Sequence, residues 1–279
     1  GVMSASNTGT FSPGHQLARL KIQVPPCGAM AVGSIAAPAA KSAGAVPALV
    51  IVDHRAQPVA GHSVGEITAA AIAGALTPID AMKLVRARGV EMAKAAATSP
   101  SGMSAILGGD RAEVLVAIAA LKLVAANDNG AGQIVAAGDL TALAQLSDNP
   151  PASARVRALA VAGAFHTSYM QPAVEPLRAQ AATIATHPVQ INVISNKDGE
   201  VVSDGAEVLT RIVNQIANPV RWDLCMETLK SLGVTGVIEL PPAGTLVGLL
   251  KRAASEIESF ALKSADDLPA AREFAERHL

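Results

Sequence analysis

The spacing of apolar residues divides the chain into a regular part that begins near residue 59 and a less regular part before it. Residues 1–58 scatter glycine, serine, proline and alanine, and only Leu20–Val24 and Ala48–Val52 have the pattern of short strands. From residue 59 onward, apolar runs of strand length alternate with stretches of helical periodicity. This alternation predicts an α/β protein with a mainly parallel sheet covered on both faces.

The first clear helices follow residue 63. An alanine-rich run predicts a helix over 64–75, and Thr77-Pro78-Ile79-Asp80 supplies an N-cap, an early proline and an early acid for a second helix that runs to about Ala97. Arg88 shares the apolar stripe of this second helix. An inward arginine needs an anion; a pairing with Glu91 or Glu66, or a snorkelling stem, stays open.

A compact block follows over residues 99–163. Its predicted order is strand, helix, strand, strand, helix, strand, with Asn127-Asp128-Asn129-Gly130 as the turn between the middle strands. The order βαββαβ in about 60 residues is typical of a ferredoxin-like unit. We expect this block to be a subdomain inserted into a larger body.

The chain then returns to the larger body over residues 164–279. The predicted elements are a helix after His166 to about Thr186, a strand over 189–195, a helix over 206–217, a helix over 222–232, a strand over 234–240 and a helix from Thr245. Asn218-Pro219 ends the helix before it, because proline disfavours helical backbone in the preceding residue.

Composition narrows the classes of function. The 22 basic and 23 acidic residues nearly cancel, and no long block of one sign indicates nucleic-acid binding. Cys27 and Cys225 lack metal-ligand spacing and are expected to be buried free thiols of a cytoplasmic protein. We predict neither a signal peptide nor a membrane span.

The candidate nucleophile is Ser63 in Gly61-His62-Ser63-Val64-Gly65. A Gly-x-Ser-x-Gly sequence between a strand and a helix is typical of a nucleophile elbow, which exposes the serine hydroxyl and directs the helix N-terminus at it. The backbone N–H of Val64 could then stabilise an oxyanion. A chance occurrence in a glycine-rich chain is the alternative.

A serine nucleophile needs a base, and the chain has six histidines. His166 follows a predicted strand, where a parallel sheet places its active-site loops, whereas His62 adjoins Ser63 and would usually point to the other side. No acid at a recognisable strand end lies between Ser63 and His166. The chain order of an ordinary esterase is therefore disfavoured.

Five ordered motifs resemble one known family. The strings Gly-His-Ser-Val-Gly-Glu at 61–66, Ala-Arg-Gly at 87–89, Gly-Ala-Phe-His at 163–166, Asn-Gln-Ile-Ala-Asn-Pro-Val-Arg-Trp at 214–222 and Pro-Pro-Ala-Gly-Thr-Leu at 241–246 are similar to those of malonyl-CoA:acyl carrier protein transacylases of type II fatty acid synthesis. The resemblance is collinear from about Val59 to Asp267.

The resemblance implies an α/β-hydrolase-like core, formed by residues 59–98 and 164–279, with the ferredoxin-like insert at 99–163. It also implies a catalytic dyad of Ser63 and His166 in which a backbone carbonyl, at Gln215, orients the imidazole. A carbonyl in the last turn of a helix has no intrahelical donor, so it is free to accept from the imidazole.

The resemblance further implies the substrate and the partner. Arg88 matches the family arginine that pairs with the malonyl carboxylate, Phe165 matches transferases that choose malonyl, and His62 is expected beside them in the substrate site. The implied partners are malonyl-CoA and acyl carrier protein, with no cofactor or metal, no nucleic acid and no membrane. We expect a monomer.

The N-terminal segment 1–58 departs from the family pattern. The Pro-Gly-Gln-Gly-x-Gln loop that supplies a second oxyanion N–H is not recognisable, and Ser12-Pro13-Gly14-His15-Gln16 is the nearest string. A truncated or frame-altered N-terminus is one hypothesis for this change. The alternatives to a malonyl transferase are therefore a catalytically impaired relative that acts as a binding protein, and a serine thioesterase or esterase.

Overall fold

A computed structural model describes residues 48–51 and 58–278. The strands of this part are β1 (Ala48–Ile51), β2 (Val59–Gly61), β3 (Ser101–Gly108), β4 (Val124–Asp128), β5 (Gln133–Asp139), β6 (Ala154–Ala158), β7 (Val193–Ile194), β8 (Val201–Val202), β9 (Val220–Arg221), β10 (Gly236–Glu239) and β11 (Glu258–Ala261). The helices are α1 (Gly65–Ile72), α2 (Pro78–Ala96), α3 (Arg111–Ala120), α4 (Leu140–Asp148), α5 (Gln171–Ala181), α6 (Gly205–Gln215), α7 (Trp222–Ser231), α8 (Thr245–Ala253) and α9 (Leu268–His278).

The larger sheet has the order β11-β10-β1-β2-β7-β8. The prediction of a mainly parallel sheet is wrong for the described strands: β2–β7 and β10–β11 pair in parallel, whereas β1–β10, β1–β2 and β7–β8 pair antiparallel. Short connections explain the antiparallel pairs β1–β2 and β7–β8, because a parallel crossover needs about a dozen residues or more. Only seven residues separate β1 from β2, and six separate β7 from β8.

The smaller sheet is built almost entirely from residues 101–158. Its strands lie in the order β6-β3-β5-β4-β9, and the predicted βαββαβ order is confirmed. The fifth strand, β9, comes from the larger body and pairs in parallel with β4. Main-chain hydrogen bonds therefore join the small sheet to the segment between α6 and α7.

The predicted turn in the small sheet lies two residues too early. Asn127 and Asp128 belong to β4, and the chain reverses over 129–132, where the Asn129 N–H donates to the Gln133 carbonyl at 2.9 Å. Gly130, Ala131 and Gly132 all have positive φ. Asn and Asp favour turns, which is why the sequence pattern predicted a turn starting at Asn127-Asp128. The observed turn depends on the residues after this pair.

Local signals placed the helix starts well. The Thr77 hydroxyl accepts from the Asp80 N–H at 3.1 Å and begins α2, and the predicted helices at 206, 222 and 245 each begin within one residue of the observed start. The structure also confirms that Arg88 lies on the buried stripe of α2. The ends of elements were predicted less accurately. Helix α5 ends at Ala181, before the predicted end near Thr186, and the strand expected over 189–195 is limited to β7.

Two apolar clusters flank the larger sheet. One packs α1, α2, α5 and α6 together, and the other packs α7 and α8 against the sheet. Strand β11 and helix α9 were not predicted, and the buried Phe274 fastens α9 to β10. No helix of the described residues is long and apolar enough to cross a bilayer.

Some predictions lie outside the described residues. They are the strand Leu20–Val24, the string Ser12–Gln16 and the thiol of Cys27. Cys225 is a buried free thiol, as expected.

Candidate active site

Ser63 lies at the sharp turn between β2 and α1. Its φ is 55°, in the left-handed region that non-glycine residues seldom occupy. A Cβ at Gly61 would overlap the carbonyl group of Gly65, so the turn can close only with glycine there. The predicted elbow geometry is therefore present, with Ser63 at its apex.

His166 faces Ser63 although 103 positions separate them. The distance from Ser63 Oγ to His166 Nε2 is 2.8 Å, and His166 Nδ1 lies 2.9 Å from the Gln215 carbonyl oxygen. A carbonyl only accepts, so the hydrogen lies on Nδ1 and Nε2 is left to accept from the serine hydroxyl. Gln215 is the last residue of α6, the residue for which the resemblance implied an orienting carbonyl.

The imidazole of His166 is held neutral. Burial lowers its pKa to about 3, and the nearby charge of Arg88 contributes to the same direction. A second main-chain bond, from the His166 N–H to the Ile216 carbonyl at 3.0 Å, fixes the residue against the end of α6. The unprotonated ring can accept a proton over the whole neutral range.

Arg88 reaches the same crevice from α2. Its Nη2 donates to Ser63 Oγ at 3.0 Å and to Gln215 Oε1 at 3.3 Å, and the residue is 8% exposed. Its buried Nε has no hydrogen-bond partner among the described residues. Burial lowers the pKa of Arg88 to about 10, against the opposing charge of Glu66.

The predicted alternative partners of Arg88 form no ion pair with it. Glu91 instead binds Lys94 at 2.7 Å, and the Glu66 carboxylate accepts hydrogen bonds from Gln215 and Asn196. The guanidinium therefore contacts the serine hydroxyl through Nη2 and keeps its Nε–H without a partner among the described residues. A carboxylate would satisfy such a group with two parallel hydrogen bonds.

The sequence did not predict the roles of three side chains next to the elbow, those of Asn196, Gln215 and Glu66. Asn196 Oδ1 accepts from the Ser63 N–H at 2.8 Å, while its Nδ2 donates to the Gly61 carbonyl at 2.8 Å. The Gln215 amide donates to the Ser63 carbonyl at 3.1 Å and to Glu66. The available signals were the acid inside the apolar run after Ser63 and the asparagine directly after a predicted strand.

The remaining predicted residues lie around the elbow. His62 Nε2 lies 2.8 Å from Asn129 Oδ1, its ring meets Trp222 edge-on at 5.6 Å, and burial lowers its pKa. Phe165 is half-buried against two apolar clusters. Val64 precedes the first residue of α1, and its N–H donates no hydrogen bond within the described ranges.

This arrangement can perform acyl transfer through a serine ester. It contains a hydroxyl, a neutral base with a fixed tautomer and a buried cation with free donor capacity. Over residues 48–51 and 58–278, no cluster of three or more histidine, cysteine or acidic side chains could hold a metal ion.

The sequence matches the family model described as acyl transferase domain over residues 15–272. Malonyl CoA-acyl carrier protein transacylase of Mycobacterium bovis is 55% identical over 210 residues, which cover 75% of this chain and 70% of that protein. The enzyme of the same name from Escherichia coli is 33% identical over 220 residues, covering 77% and 71%.

Solved structures agree. The crystal structure of MCAT from Mycobacterium tuberculosis superposes with a TM-score of 0.74 at 55% identity and covers 76% of this chain and 70% of that one. A type II PKS acyl-carrier protein in complex with its malonyl-transacylase matches with a TM-score of 0.72 at 30% identity, covering 77% and 71%.

Proposed function

Because the chain belongs to the acyl transferase family that includes malonyl CoA-acyl carrier protein transacylases, we propose that it moves a malonyl group from coenzyme A to acyl carrier protein. The observation that supports this most directly is the convergence of three groups from distant parts of the chain. Ser63 Oγ contacts both His166 Nε2 and Arg88 Nη2, and Arg88 Nε is left without a partner among the described side chains.

In the first half-reaction, Ser63 Oγ attacks the thioester carbonyl carbon of malonyl-CoA while His166 Nε2 takes the hydroxyl proton. The carbonyl electrons move to oxygen and return to break the C–S bond. The departing thiolate takes the proton from His166 and leaves as coenzyme A. The product is a malonyl ester on Ser63.

In the second half-reaction, the nucleophile is the phosphopantetheine thiol of acyl carrier protein and not water. His166 takes the thiol proton, the sulfur attacks the ester carbonyl, and the C–O bond to Ser63 breaks as His166 returns the proton to Oγ. The elbow is thus restored without a redox change, so the cycle needs no electron carrier.

Arg88 and Phe165 select the acyl group in this proposal. The malonyl carboxylate accepts from the Arg88 guanidinium, including the unpartnered Nε, whereas an acetyl group would leave that charge buried and unsatisfied. The half-buried ring of Phe165, next to His166, limits the room for an α-methyl substituent. His62 borders the same space, and its hydrogen bond to Asn129 holds the imidazole ring in place.

Val64 is the proposed oxyanion donor. The Ser63 N–H is engaged by Asn196, whereas the Val64 N–H lies at the start of α1 and is unoccupied by any group of the described residues. Its electropositive helix terminus favours developing negative charge. The family loop that would supply a second donor is not recognisable in the sequence, and residues 1–47 lie outside the described residues.

We also propose that the chain has a two-part architecture. Residues 99–163 contain four strands in the order β6-β3-β5-β4, which suits a ferredoxin-like subdomain, and residues 59–98 with 164–279 form the α/β-hydrolase-like body. Four other expectations stay predictions. They are that residues 1–58 form an atypical segment, that the protein is a monomer, that it is cytoplasmic and that it works without a cofactor.

Intact-protein mass spectrometry tests the function. Incubation with malonyl-CoA is expected to add one malonyl group to Ser63, and addition of holo acyl carrier protein is expected to remove it with malonylation of the carrier. Ser63→Ala should abolish the adduct. Loss of the adduct to water instead would indicate a thioesterase, and no adduct on a folded sample would indicate a binding protein.

A further inference from the structure

Asn196 is a buried residue that the transfer steps above do not use. It is 0% exposed and follows β7, the strand that pairs in parallel with β2 directly before the elbow. The printed pairing of the two strands ends at Ala60 and Ile194. If this ladder continued by one step, the Asn196 N–H would donate to the Gly61 carbonyl and the Asn196 carbonyl would accept from the Ser63 N–H.

The side chain of Asn196 makes these two bonds in place of its main chain. Its Nδ2 donates to the Gly61 carbonyl at 2.8 Å, and its Oδ1 accepts from the Ser63 N–H at 2.8 Å. The main chain is used elsewhere, because the Asn196 N–H donates to Glu66 Oε1 at 2.9 Å and its carbonyl accepts from the Arg221 N–H at 2.7 Å. The carboxamide thus replaces a peptide group of the ladder while the chain turns away from the elbow.

Resting on the proposed function, we propose that Asn196 is a positioning residue that holds the nucleophile in its reactive position before substrate binds. Ser63 has a φ of 55°, and such a conformation persists only where its surroundings fix it. Among the described residues, Asn196 is the one partner of the Ser63 N–H. Without it, the Ser63 backbone could relax, and Oγ would leave its place 2.8 Å from His166 Nε2.

The orientation of the carboxamide is fixed by its neighbours. The Ser63 N–H can only donate and the Gly61 carbonyl can only accept, so Oδ1 and Nδ2 cannot exchange places. Oδ1 also accepts from Gln215 Nε2 at 3.2 Å, and Nδ2 donates to Cys225 Sγ at 3.8 Å. Both ends of the amide are therefore engaged twice, which holds the side chain of Asn196 in one arrangement.

The first test is Asn196→Ala, which removes both bonds to the elbow. We expect single-turnover acylation of Ser63 at saturating substrate to slow by about 100-fold, because a nucleophile displaced by about 1 Å loses roughly that factor in rate. The same factor should apply to malonyl-CoA and acetyl-CoA, since both react with the same oxygen. The malonyl-to-acetyl ratio should therefore stay constant, whereas loss of the Arg88 guanidinium should change it.

Thr228→Val is the matched control for a purely structural role. Thr228 Oγ1 donates to the Gly199 carbonyl at 2.7 Å and ties the end of the turn 196–199 to α7, away from the elbow. This variant should lose thermal stability, because the carbonyl loses its donor, but keep nearly the full acylation rate. If it slows acylation as much as Asn196→Ala does, or if folded Asn196→Ala keeps the full rate, the proposal is overturned.

Asn196→Asp supplies a second readout, which decides alone if Asn196→Ala does not fold. An ionised carboxylate accepts from the Ser63 N–H but opposes the Gly61 carbonyl, whereas the protonated acid donates to that carbonyl and restores both bonds. The ionisable groups around this position come from the four helices α1, α2, α6 and α7 and are Glu66, Arg88, Arg211 and Cys225. Burial and the Glu66 carboxyl favour the protonated form.

The acylation rate of Asn196→Asp, divided by that of the unaltered protein at the same pH, should therefore rise as the pH falls from about 8 to about 6. The titrations of His166 and of the substrate affect both proteins and cancel in this quotient. A loss of stability alone predicts no such recovery. A quotient that stays flat or falls overturns the proposal.

Failure of this inference is distinct from failure of the proposed function. If Ser63 of the unaltered protein forms the malonyl ester and the Asn196 variants form it equally fast, the transfer function stands and the role of Asn196 is refuted. If Ser63 of the unaltered protein forms no ester, the function itself is refuted, and the role assigned to Asn196 falls with it.

Discussion

The substitution Arg88→Met separates malonyl binding from the rest of the chemistry. In the proposed complex, the guanidinium offers the substrate carboxylate two charge-assisted hydrogen bonds, each contributing about 1.5–3 kcal/mol in a buried site. Their loss corresponds to roughly 3–6 kcal/mol and therefore to about a 150- to 25,000-fold fall in kcat/KM for malonyl-CoA. The rate with acetyl-CoA, which has no carboxylate, should change far less.

The assay is single-turnover acylation of Ser63, with Arg86→Met as the control. Arg86 lies two residues away on the exposed face of α2, so its loss removes a charge from the same helix without touching the crevice. Arg88→Lys should fall between the two, because an ammonium keeps the charge but loses the planar fork.

Stability distinguishes this effect from unfolding. Burial lowers the pKa of Arg88 to about 10, so the charged guanidinium opposes folding at neutral pH. Arg88→Met fills similar volume without that charge, and its melting temperature should equal or exceed that of the unaltered protein. An unchanged malonyl-to-acetyl ratio in a folded Arg88→Met sample would refute the assignment of Arg88 as the carboxylate site.

Three further outcomes follow from the site. Burial lowers the pKa of His166 to about 3, so the unfolded state binds the extra proton below about pH 6.5 and stability falls with pH down to about 3; His166→Gln should lessen this loss in acid unfolding titrations and abolish acylation. Gly61→Ala should lower stability by more than about 2 kcal/mol in urea unfolding, because its Cβ meets the Gly65 carbonyl group, whereas Gly89→Ala in α2 meets nothing and should raise stability by about 0.5–1 kcal/mol. Phe165→Ala should raise acylation by methylmalonyl-CoA relative to malonyl-CoA in a competition assay, and an unchanged ratio would remove Phe165 from the selectivity site.

Sequence patterns predicted the parts of the fold that short-range chemistry determines. The Thr77 cap, the Asn218-Pro219 stop and the βαββαβ order depend on neighbouring residues, and the structure agrees with each of them. The strand directions could not be obtained in this way. Strand β1 inserts between β10 and β2, and the periodicity of a strand carries no information about its partners.

The site shows the same division. Ser63 and His166 were predictable from an elbow and a strand end, whereas the Gln215 carbonyl was implied by the family resemblance. The side chains of Asn196 and Gln215 were not, because their bonds to Ser63 span 133 and 152 positions and depend on how the helices pack. The stripe of α2 placed Arg88 inward but left a pairing with Glu91 or Glu66 and a snorkelling stem open, and the unpartnered Nε required coordinates.

The double use of Gln215 has a consequence for protein engineering. Its main-chain carbonyl accepts from the His166 imidazole, and any residue that preserves the end of α6 supplies the same carbonyl. Its side chain contacts the guanidinium, so, in the proposed transferase, randomising this one position should change the acyl preference while the imidazole keeps its tautomer.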